Sequence, residues 1–268
     1  MTPEQLLRFH EACHIVLEGR KPEQGIGTLG EKSLHAVLKY YYQPDESQHE
    51  RKIGRMSADA ILPNGSILEI QTRSFYSLRK KLPLFLAYGQ VHLVAPVIQK
   101  KWVCWLHPET GEVVSKRLSP KHYSPIDLSR ELGYIRKFLL HPKLTVHFPL
   151  LEAEEYRLLD GWGNDGKRGS TRYERIPLNL LEEWVMKSPQ DYIALLPDNL
   201  PEVFTIKELE KAARISSRCA YTAAAIFRET GTIREYGCRG RAKCYRRNIK
   251  NKSLLPDDTP PKAGLLGK

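Results

Sequence analysis

The chain has 268 residues, of which 41% are hydrophobic and 27% are charged, so it can bury a core as one large globular domain or two smaller ones. No apolar run approaches the roughly 20 residues that cross a bilayer, which excludes a membrane span. The first residues lack the basic and apolar regions of a signal peptide, which favours a cytoplasmic location. The net charge is +11, and residues 201–252 contain 13 Lys and Arg against 5 Asp and Glu. This local excess indicates a polyanionic partner, and nucleic acid is favoured over a membrane surface.

The first half of the chain predicts alternating helices and strands. Thr2-Pro3-Glu4-Gln5 combines a helix N-cap, a proline at the first helical position and a capping box, so a first helix should extend to about Glu18. Leu34, Leu38 and Tyr41 recur at helical spacing and predict a second helix. This second helix covers 31–42, and the further predictions are strands at 52–62 and 66–73, a basic helix at 76–88 and an apolar strand at 91–95.

The second half predicts strands at 102–106, 112–116 and 144–151, and helices at 129–140 and 178–187. The stretch Gly161 to Arg175 is rich in Gly and Arg, and it fits either a disordered connection or a hairpin that contacts a backbone phosphate. Residues 251–268 are rich in Pro, Gly and Lys and predict a disordered tail. The chain therefore divides into a domain at 1–151, a connecting segment with a basic loop at 152–200, a second domain at 201–250 and this tail.

Two acids face each other in the hairpin predicted around Pro63-Asn64-Gly65, a strong turn signal. A hairpin centred on Asn64 places Asp59 directly opposite Glu69, with Cβ atoms roughly 4.5–5.5 Å apart. Carboxylates this close repel each other, and a hard divalent cation such as Mg²⁺ or Mn²⁺ removes the conflict. The carbonyl of Ile70 is a further candidate metal ligand. A shift of the register by one residue would send the two acids to opposite faces.

Glu31 is a third candidate acid, because it shares a helical stripe with Leu34 and Leu38 and can reach the sheet on which that stripe packs. A helix with Glu31, a strand with Asp59, a strand with Glu69-x-Gln71, a basic helix and a buried strand follow one another in the chain. This order resembles the PD-(D/E)XK nuclease superfamily over residues 27–97. The resemblance implies a mixed, restriction-endonuclease-like sheet flanked by helices, in which these acids hold one or two metal ions that activate water for attack on a phosphodiester bond.

Gln71 stands where this superfamily usually has a lysine, although some members, including the competence-associated nuclease group, also carry glutamine there. A neutral amide can orient a water molecule or a phosphate, but it cannot act as a base, so the metal would have to lower the pKa of the water by itself. The basic side chains nearest in sequence are expected to position phosphate; they are Lys32, Arg73, Lys80 and Lys81.

The carboxy-terminal region predicts two short helices followed by a basic hairpin. Thr205-Ile206-Lys207-Glu208 is a capping box, a second helix covers 218–229, Gly231 ends it, and strands follow at 232–236 and 242–246. This order resembles winged helix-turn-helix domains. The resemblance implies that the second helix faces a DNA groove and that the hairpin lies along phosphates. The residues expected to contact DNA are Arg218, Tyr221 and Thr222 on the helix, and Arg239, Arg241 and Lys243 on the hairpin.

Two classes of function follow from these patterns. The first is a Mg²⁺- or Mn²⁺-dependent DNA endonuclease, for duplex or branched DNA, with Asp59, Glu69, Gln71 and Glu31 as catalytic residues. A homodimer fits this hypothesis, because duplex cleavage needs two sites. The second is a DNA-binding regulator or adaptor that keeps a nuclease-like scaffold without its chemistry. RNA as the substrate is a third, weaker alternative.

Overall fold

The computed structural model describes residues 1–18, 33–161 and 171–248. The chain divides into two compact units. The large unit consists of the described residues within Met1–Ser74, Lys81–Ser124 and Thr145–Val185. The small unit consists of those within Phe75–Lys80, Pro125–Leu144 and Met186–Lys268. This division differs from the sequence-based one, because residues 152–185 belong to the large unit and residues 125–144 to the small one.

The helices are α1 (Pro3–Glu18), α2 (Ser33–Tyr42), α3 (Leu78–Tyr88), α4 (Ser129–Leu132), α5 (Ile206–Ala213) and α6 (Ser217–Glu229), and short 3-10 helices lie at Glu46–Gln48, Pro125–Leu128, Gly133–Phe138 and Asp191–Leu195. The strands are β1 (His49–Ile53), β2 (Met56–Ile61), β3 (Ile67–Ile70), β4 (Val91–Val94), β5 (Val97–Leu106), β6 (Val113–Leu118), β7 (Leu144–Leu158), β8 (Thr171–Met186), β9 (Val203–Thr205), β10 (Ile233–Arg239) and β11 (Ala242–Arg247). None of the helices among the described residues has the length and apolar character that a bilayer crossing requires.

An eight-stranded mixed sheet forms the centre of the large unit. Its strand order is β1-β2-β3-β4-β7-β5-β6, and β8 pairs with β7. The β1–β2 and β2–β3 pairs are antiparallel, whereas β3–β4 and β5–β7 are parallel. A separate three-stranded sheet has the order β10-β11-β9. The predicted α/β class, a mixed sheet flanked by helices with a second small sheet-containing region, is therefore confirmed.

Helices α1 and α2 cover one face of this sheet. Phe9 and Tyr41 are fully buried and pack edge to face, with ring centroids 5.7 Å apart. Leu68 and Val94 belong to the same apolar cluster, which explains why β3 and β4 carry short runs of apolar residues. The predicted capping box of α1 is confirmed, since Thr2 N–H donates to Oε1 of Gln5 at 2.8 Å. The α2 face of β3 is thus closed by packing, and the opposite face carries residue 69.

Three element predictions are wrong for identifiable reasons. Residues 52–62 form two strands, because Gly54 has φ +58° and permits a tight turn in which Ile53 pairs with Met56. Residues 178–186 of the predicted helix at 178–187 belong to strand β8, where pairing with β7 overrides the local leucine spacing. The helix predicted at 129–140 is a single α-helical turn followed by a 3-10 helix that begins at Gly133. The predicted tail at 251–268 and most of the basic loop lie outside the described residues.

The small unit contains β9, α5, α6 and the β10–β11 hairpin. Thr205 caps α5 in a complete capping box with Glu208, as the sequence predicts. Ser216 caps α6 by accepting from the N–H of Cys219. The thiol of Cys219 donates to the carbonyl of Ile126 at 3.5 Å, and α6 also packs against α4 and the 3-10 helix after it. The segment 125–144 is therefore part of this unit, although 58 residues of chain separate it from β9.

Candidate active site

The two acids of the β2–β3 hairpin lie in the predicted register. Ala60 pairs with Leu68 and Ile61 with Ile67, so the hairpin is centred on Asn64. Asp59 directly precedes Ala60, and its carboxylate oxygen Oδ2 accepts a hydrogen bond from the backbone N–H of Ile70 at 2.5 Å. On its other edge β3 pairs with β4 in parallel, which fixes the strand on both sides. The carboxylate of Asp59 is thereby held beside the strand that carries Glu69.

Asp59 is buried but remains an ionised acid. Its side chain is 14% exposed, and Nε2 of His35 on α2 lies 3.4 Å from Oδ2. Burial raises its pKa, but the hydrogen bond and charge of His35, the N–H of Ile70 and the charge of Lys81 together hold the pKa below its ordinary value. His35 is therefore a side chain of α2 that orients Asp59.

Glu69 is the most constrained residue of the site. Its side chain is 5% exposed, and Nζ of Lys81 on α3 contacts Oε1 at 2.7 Å. Its other oxygen, Oε2, is buried and has no hydrogen-bond partner among the described residues. Burial and the charge of Asp59 raise the pKa of Glu69 to about 7, although Lys81 acts in the opposite direction. A buried carboxylate oxygen without a partner is costly, and it fits a site that receives a cation.

The other residues that the sequence predicts near the acid pair do not all lie beside it. Nε2 of Gln71 donates to the carbonyl of Ser74 at 2.8 Å, so this side chain ties down the loop that leads to α3. Ile70 is buried, and its N–H holds Asp59. Arg73 is exposed and lines a pocket with His35. Lys80 is exposed and belongs to the small unit. Glu31 and Lys32 lie outside the described residues.

The pocket beside the acid pair contains residues that the sequence did not single out. Its lining consists of Leu34, His35, Thr72, Arg73, Arg172, Glu174 and Arg175. Arg172 and Arg175 come from β8, in the stretch for which the sequence left a disordered connection and a phosphate-contacting hairpin open. Because more than 100 residues separate β8 from Asp59 in sequence, only the pairing of β8 with β7 places them at this pocket.

The acid pair supplies part of the donor set that a divalent cation requires. Carboxylate oxygens are the preferred ligands of Mg²⁺ and Mn²⁺, and Asp59 and Glu69 supply them on adjacent strands. Within residues 1–18, 33–161 and 171–248, no group of three or more His, Cys, Asp or Glu is placed to hold a metal ion. Oε2 of Glu69, which has no partner among the described residues, nevertheless fits such a cation, and Asp59 and the carbonyl of Ile70 are the further donors that the sequence predicts.

The residues of the small unit that are expected to contact DNA differ in how exposed they are. Tyr221 is 61% exposed, Arg218 lies on the same exposed face of α6, and Arg241 is exposed in the hairpin turn. Thr222 is half-buried, and its hydroxyl donates to the carbonyl of Arg218. The other two hairpin residues form internal contacts: Arg239 donates to Oε1 of Glu208 and to the carbonyl of Val203, and Lys243 forms an ion pair with Glu235.

The fold and the site thus define an α/β protein with a mixed sheet, a buried carboxylate pair on adjacent strands and an arginine-lined pocket beside it. Residues 32–187 match the family described as "Domain of unknown function (DUF8091)", and the chain belongs to this family. An uncharacterized protein of Treponema pallidum (strain Nichols) is 30% identical over 251 residues, which are 91% of this chain and 96% of that protein. No solved structure matches the chain. The family match over residues 32–187 covers both strands of the acid pair and the whole of β8.

Proposed function

We propose that this protein is a divalent-metal-dependent nuclease of the PD-(D/E)XK type that acts on DNA. The observation that carries the proposal is the placement of Asp59 and Glu69 on neighbouring strands, with one buried carboxylate oxygen of Glu69 that has no partner in the described part of the chain. The element order α2-β1-β2-β3-α3-β4 around these acids supports it, because it contains the helix, the acidic strands, the basic helix and the buried strand on which the sequence resemblance depends.

Asp59, Glu69 and the carbonyl of Ile70 would hold Mg²⁺ or Mn²⁺. When bound, the cation supplies Lewis-acid chemistry, which lowers the pKa of water and offsets negative charge on a phosphate. His35 keeps Asp59 ionised and oriented, and the N–H of Ile70 fixes the second contact of the same carboxylate oxygen. Hydrolysis then joins a water oxygen to phosphorus and breaks a phosphorus–oxygen bond, and the leaving oxygen takes up a proton.

Lys81 supports the proposal because it supplies a positively charged side chain at the site, which the neutral Gln71 does not. The superfamily usually has its lysine at the position of Gln71, whereas Lys81 lies in the next helix, α3. Its Nζ contacts Oε1 of Glu69 at 2.7 Å. An ammonium group there can neutralise charge on a substrate phosphate or orient the attacking water. Gln71 instead holds the loop between β3 and α3 through Ser74, which is a positioning role.

The small unit is proposed to be a winged helix that docks DNA. Two capped helices are followed by a basic hairpin, and β9 joins that hairpin as the third strand of its sheet. Arg218, Tyr221 and Arg241 are the exposed residues that would contact the nucleic acid. Arg239 and Lys243 are proposed to support the hairpin from within, since both already bind acids of the same unit.

The test is a nicking assay on the full chain with supercoiled DNA and either Mg²⁺, Mn²⁺ or a chelator. Cleavage is expected only with the divalent ion. Asp59→Asn and Glu69→Gln are expected to lower the rate by at least about 100-fold, since each removes a charged ligand from the site. Glu46→Gln is the matched control, because it removes an exposed carboxylate and should leave the rate unchanged.

A second candidate function is a DNA-binding regulator with an inactive nuclease-like site. The observation that favours it is the ion pair between Lys81 and Glu69, which can neutralise this carboxylate without any metal. Stable shifts of a DNA duplex, with no cleavage of DNA or RNA in either metal, would support the regulator and contradict the nuclease. Cleavage of labelled RNA alone would replace DNA as the substrate.

A further inference from the structure

A buried carboxylate on β7 gathers an excess of basic side chains near the acid pair. The side chain of Glu155 is 1% exposed, and four cations contact it: Lys101, Arg157, Arg172 and Arg175. One carboxylate offsets one positive charge, so this cluster keeps a surplus of three. Burial raises the pKa of Glu155, but the four cations outweigh it and lower the pKa to about 2.

Two members of this cluster also line the pocket beside Asp59. Arg172 and Arg175 face it together with Arg73, and its wall includes His35, which contacts Asp59. Glu174 is the acidic residue of the lining, and its carboxylate already accepts the backbone N–H groups of Ser33 and Arg175. Three guanidinium groups against one carboxylate leave the pocket positive.

The charge of these arginines is incompletely compensated. Arg172 and Arg175 each contact Glu155 through Nε, at 3.2 and 3.0 Å. Burial and repulsion from Arg175 lower the pKa of Arg172, and Glu155 opposes this only in part. Like charges held together in a partly buried pocket are unfavourable, and a bound anion relieves that repulsion.

We propose that Arg172 and Arg175, together with Arg73, form a binding site for a phosphate group of a nucleic-acid strand. Guanidinium groups bind phosphate through two parallel N–H donors, which suits a fixed pocket better than a lysine would. The identity of the substrate as nucleic acid rests on the proposed function. His35 lines this pocket and also contacts Asp59, so the bound phosphate would lie next to the phosphate that is cleaved at the acid pair. The arginines of β8 would therefore set the position of the nucleic-acid strand to be cut.

The experiment compares binding in Arg172→Gln, Arg175→Gln and Arg157→Gln variants of the full chain. Arg157 is the matched control, because it also contacts Glu155, at the other carboxylate oxygen, but does not line the pocket. The probes are inorganic phosphate by calorimetry, and short DNA duplexes with either a 5′-phosphate or a 5′-hydroxyl. Arg172→Gln and Arg175→Gln are expected to weaken phosphate and duplex binding by about tenfold or more, and Arg157→Gln by less than about threefold. Arg172 is about half exposed, so its replacement should not impair folding, and melting curves check this.

The duplex pair distinguishes the two sources of the phosphate. Tighter binding of the 5′-phosphate duplex identifies a strand end as the ligand, and equal binding identifies an internal phosphate; both support the site. Unchanged binding in Arg172→Gln and Arg175→Gln, or an equal loss in Arg157→Gln, would overturn it. Cleavage measured on the same samples separates the proposals. Arginine-dependent binding without cleavage retains the phosphate site and rejects the nuclease, whereas normal cleavage by every variant retains the nuclease and rejects the site.

Discussion

Glu69 lies on an inner strand of the sheet, and its pKa is raised above the ordinary value for a glutamate. It lies on β3 with its side chain 5% exposed, between Asp59 and Lys81. Desolvation and the neighbouring acid make its ionised form costly in the folded protein, whereas the unfolded chain ionises it freely. The raised pKa of about 7 means that Glu69 destabilises the folded protein near neutral pH, a cost that fits the metal-binding role proposed for it.

The pH dependence of unfolding tests this penalty. Above the ordinary pKa of 4.5 the unfolded state loses its proton while the folded state keeps it up to about pH 7, so stability falls as pH rises through this window. Glu69 alone is expected to lower the free energy of unfolding by about 3 kcal/mol between these limits. Glu69→Gln should remove this fall, as measured by urea unfolding at pH 4.5 and pH 8.

Glu46→Gln serves as the exposed control and should keep the pH dependence of the unmodified protein. A second measurement connects the penalty to metal binding. Mn²⁺ added at pH 8 is expected to raise the melting temperature of the unmodified protein but not of Glu69→Gln, since a cation stabilises only the state that binds it. An identical pH dependence in Glu69→Gln and the unmodified protein would show that this carboxylate is not the strained group.

Helix α6 shows how tightly one element is fitted to its neighbours. Its inner face includes several small residues, with Ala220 and Ala223 fully buried, so the segment after Pro125 can approach closely there. A β-carbon added at Gly133 would lie 2.6 Å from Cγ2 of Thr222, nearer than real side chains permit. Thr222 therefore contributes to packing within the small unit, in addition to the outward role that the sequence predicted for it.

A double-mutant cycle on this contact gives a direct prediction. Gly133→Ala is expected to destabilise the protein by about 1–3 kcal/mol, because an overpacked contact forces the helix to shift. Thr222→Ser removes Cγ2 and keeps the hydroxyl that donates to Arg218, so the double variant should recover most of the loss. Gly89→Ala is the control, since nothing lies within 4 Å of the added atom. Additive effects of the two substitutions would contradict the contact.

At the scale of the whole molecule, the net charge of +11 is unevenly distributed. The excess between residues 201 and 252 lies mainly in the small unit, and the second excess surrounds Glu155 in the large unit. Some of the first group is internally paired, as Arg239 and Lys243 are. The residues that remain for a polyanion are therefore fewer than the charge count alone indicates.

The salt dependence of DNA binding should reflect this smaller number. Arg218→Ala and Arg241→Ala are each expected to reduce the slope of the logarithm of affinity against the logarithm of salt by about 1, as expected when one phosphate contact is lost. Lys243→Ala should change the slope less, because its charge is already paired with Glu235. Fluorescence anisotropy with one duplex at several salt concentrations provides the measurement. Equal slopes for all variants would argue against the small unit as the docking surface.

The sequence by itself determined the acid pair, because a turn at Asn64 and the two-residue period of a strand fix Asp59 relative to Glu69. It also determined the caps of α1 and α5, which depend on residues only three apart. Local chemistry of this kind is readable because the interacting groups are neighbours in the chain.

Tertiary structure alone decided the partners of that pair. Lys81 contacts Glu69 only because the fold brings α3 beside β3, and His35 contacts Asp59 only because α2 covers the sheet. Arg172 lines the pocket that contains His35 because β8 pairs with β7. This pairing overrides the leucine spacing that predicted a helix in the second half of β8. Such contacts depend on pairing between distant segments, and no spacing in the sequence encodes them.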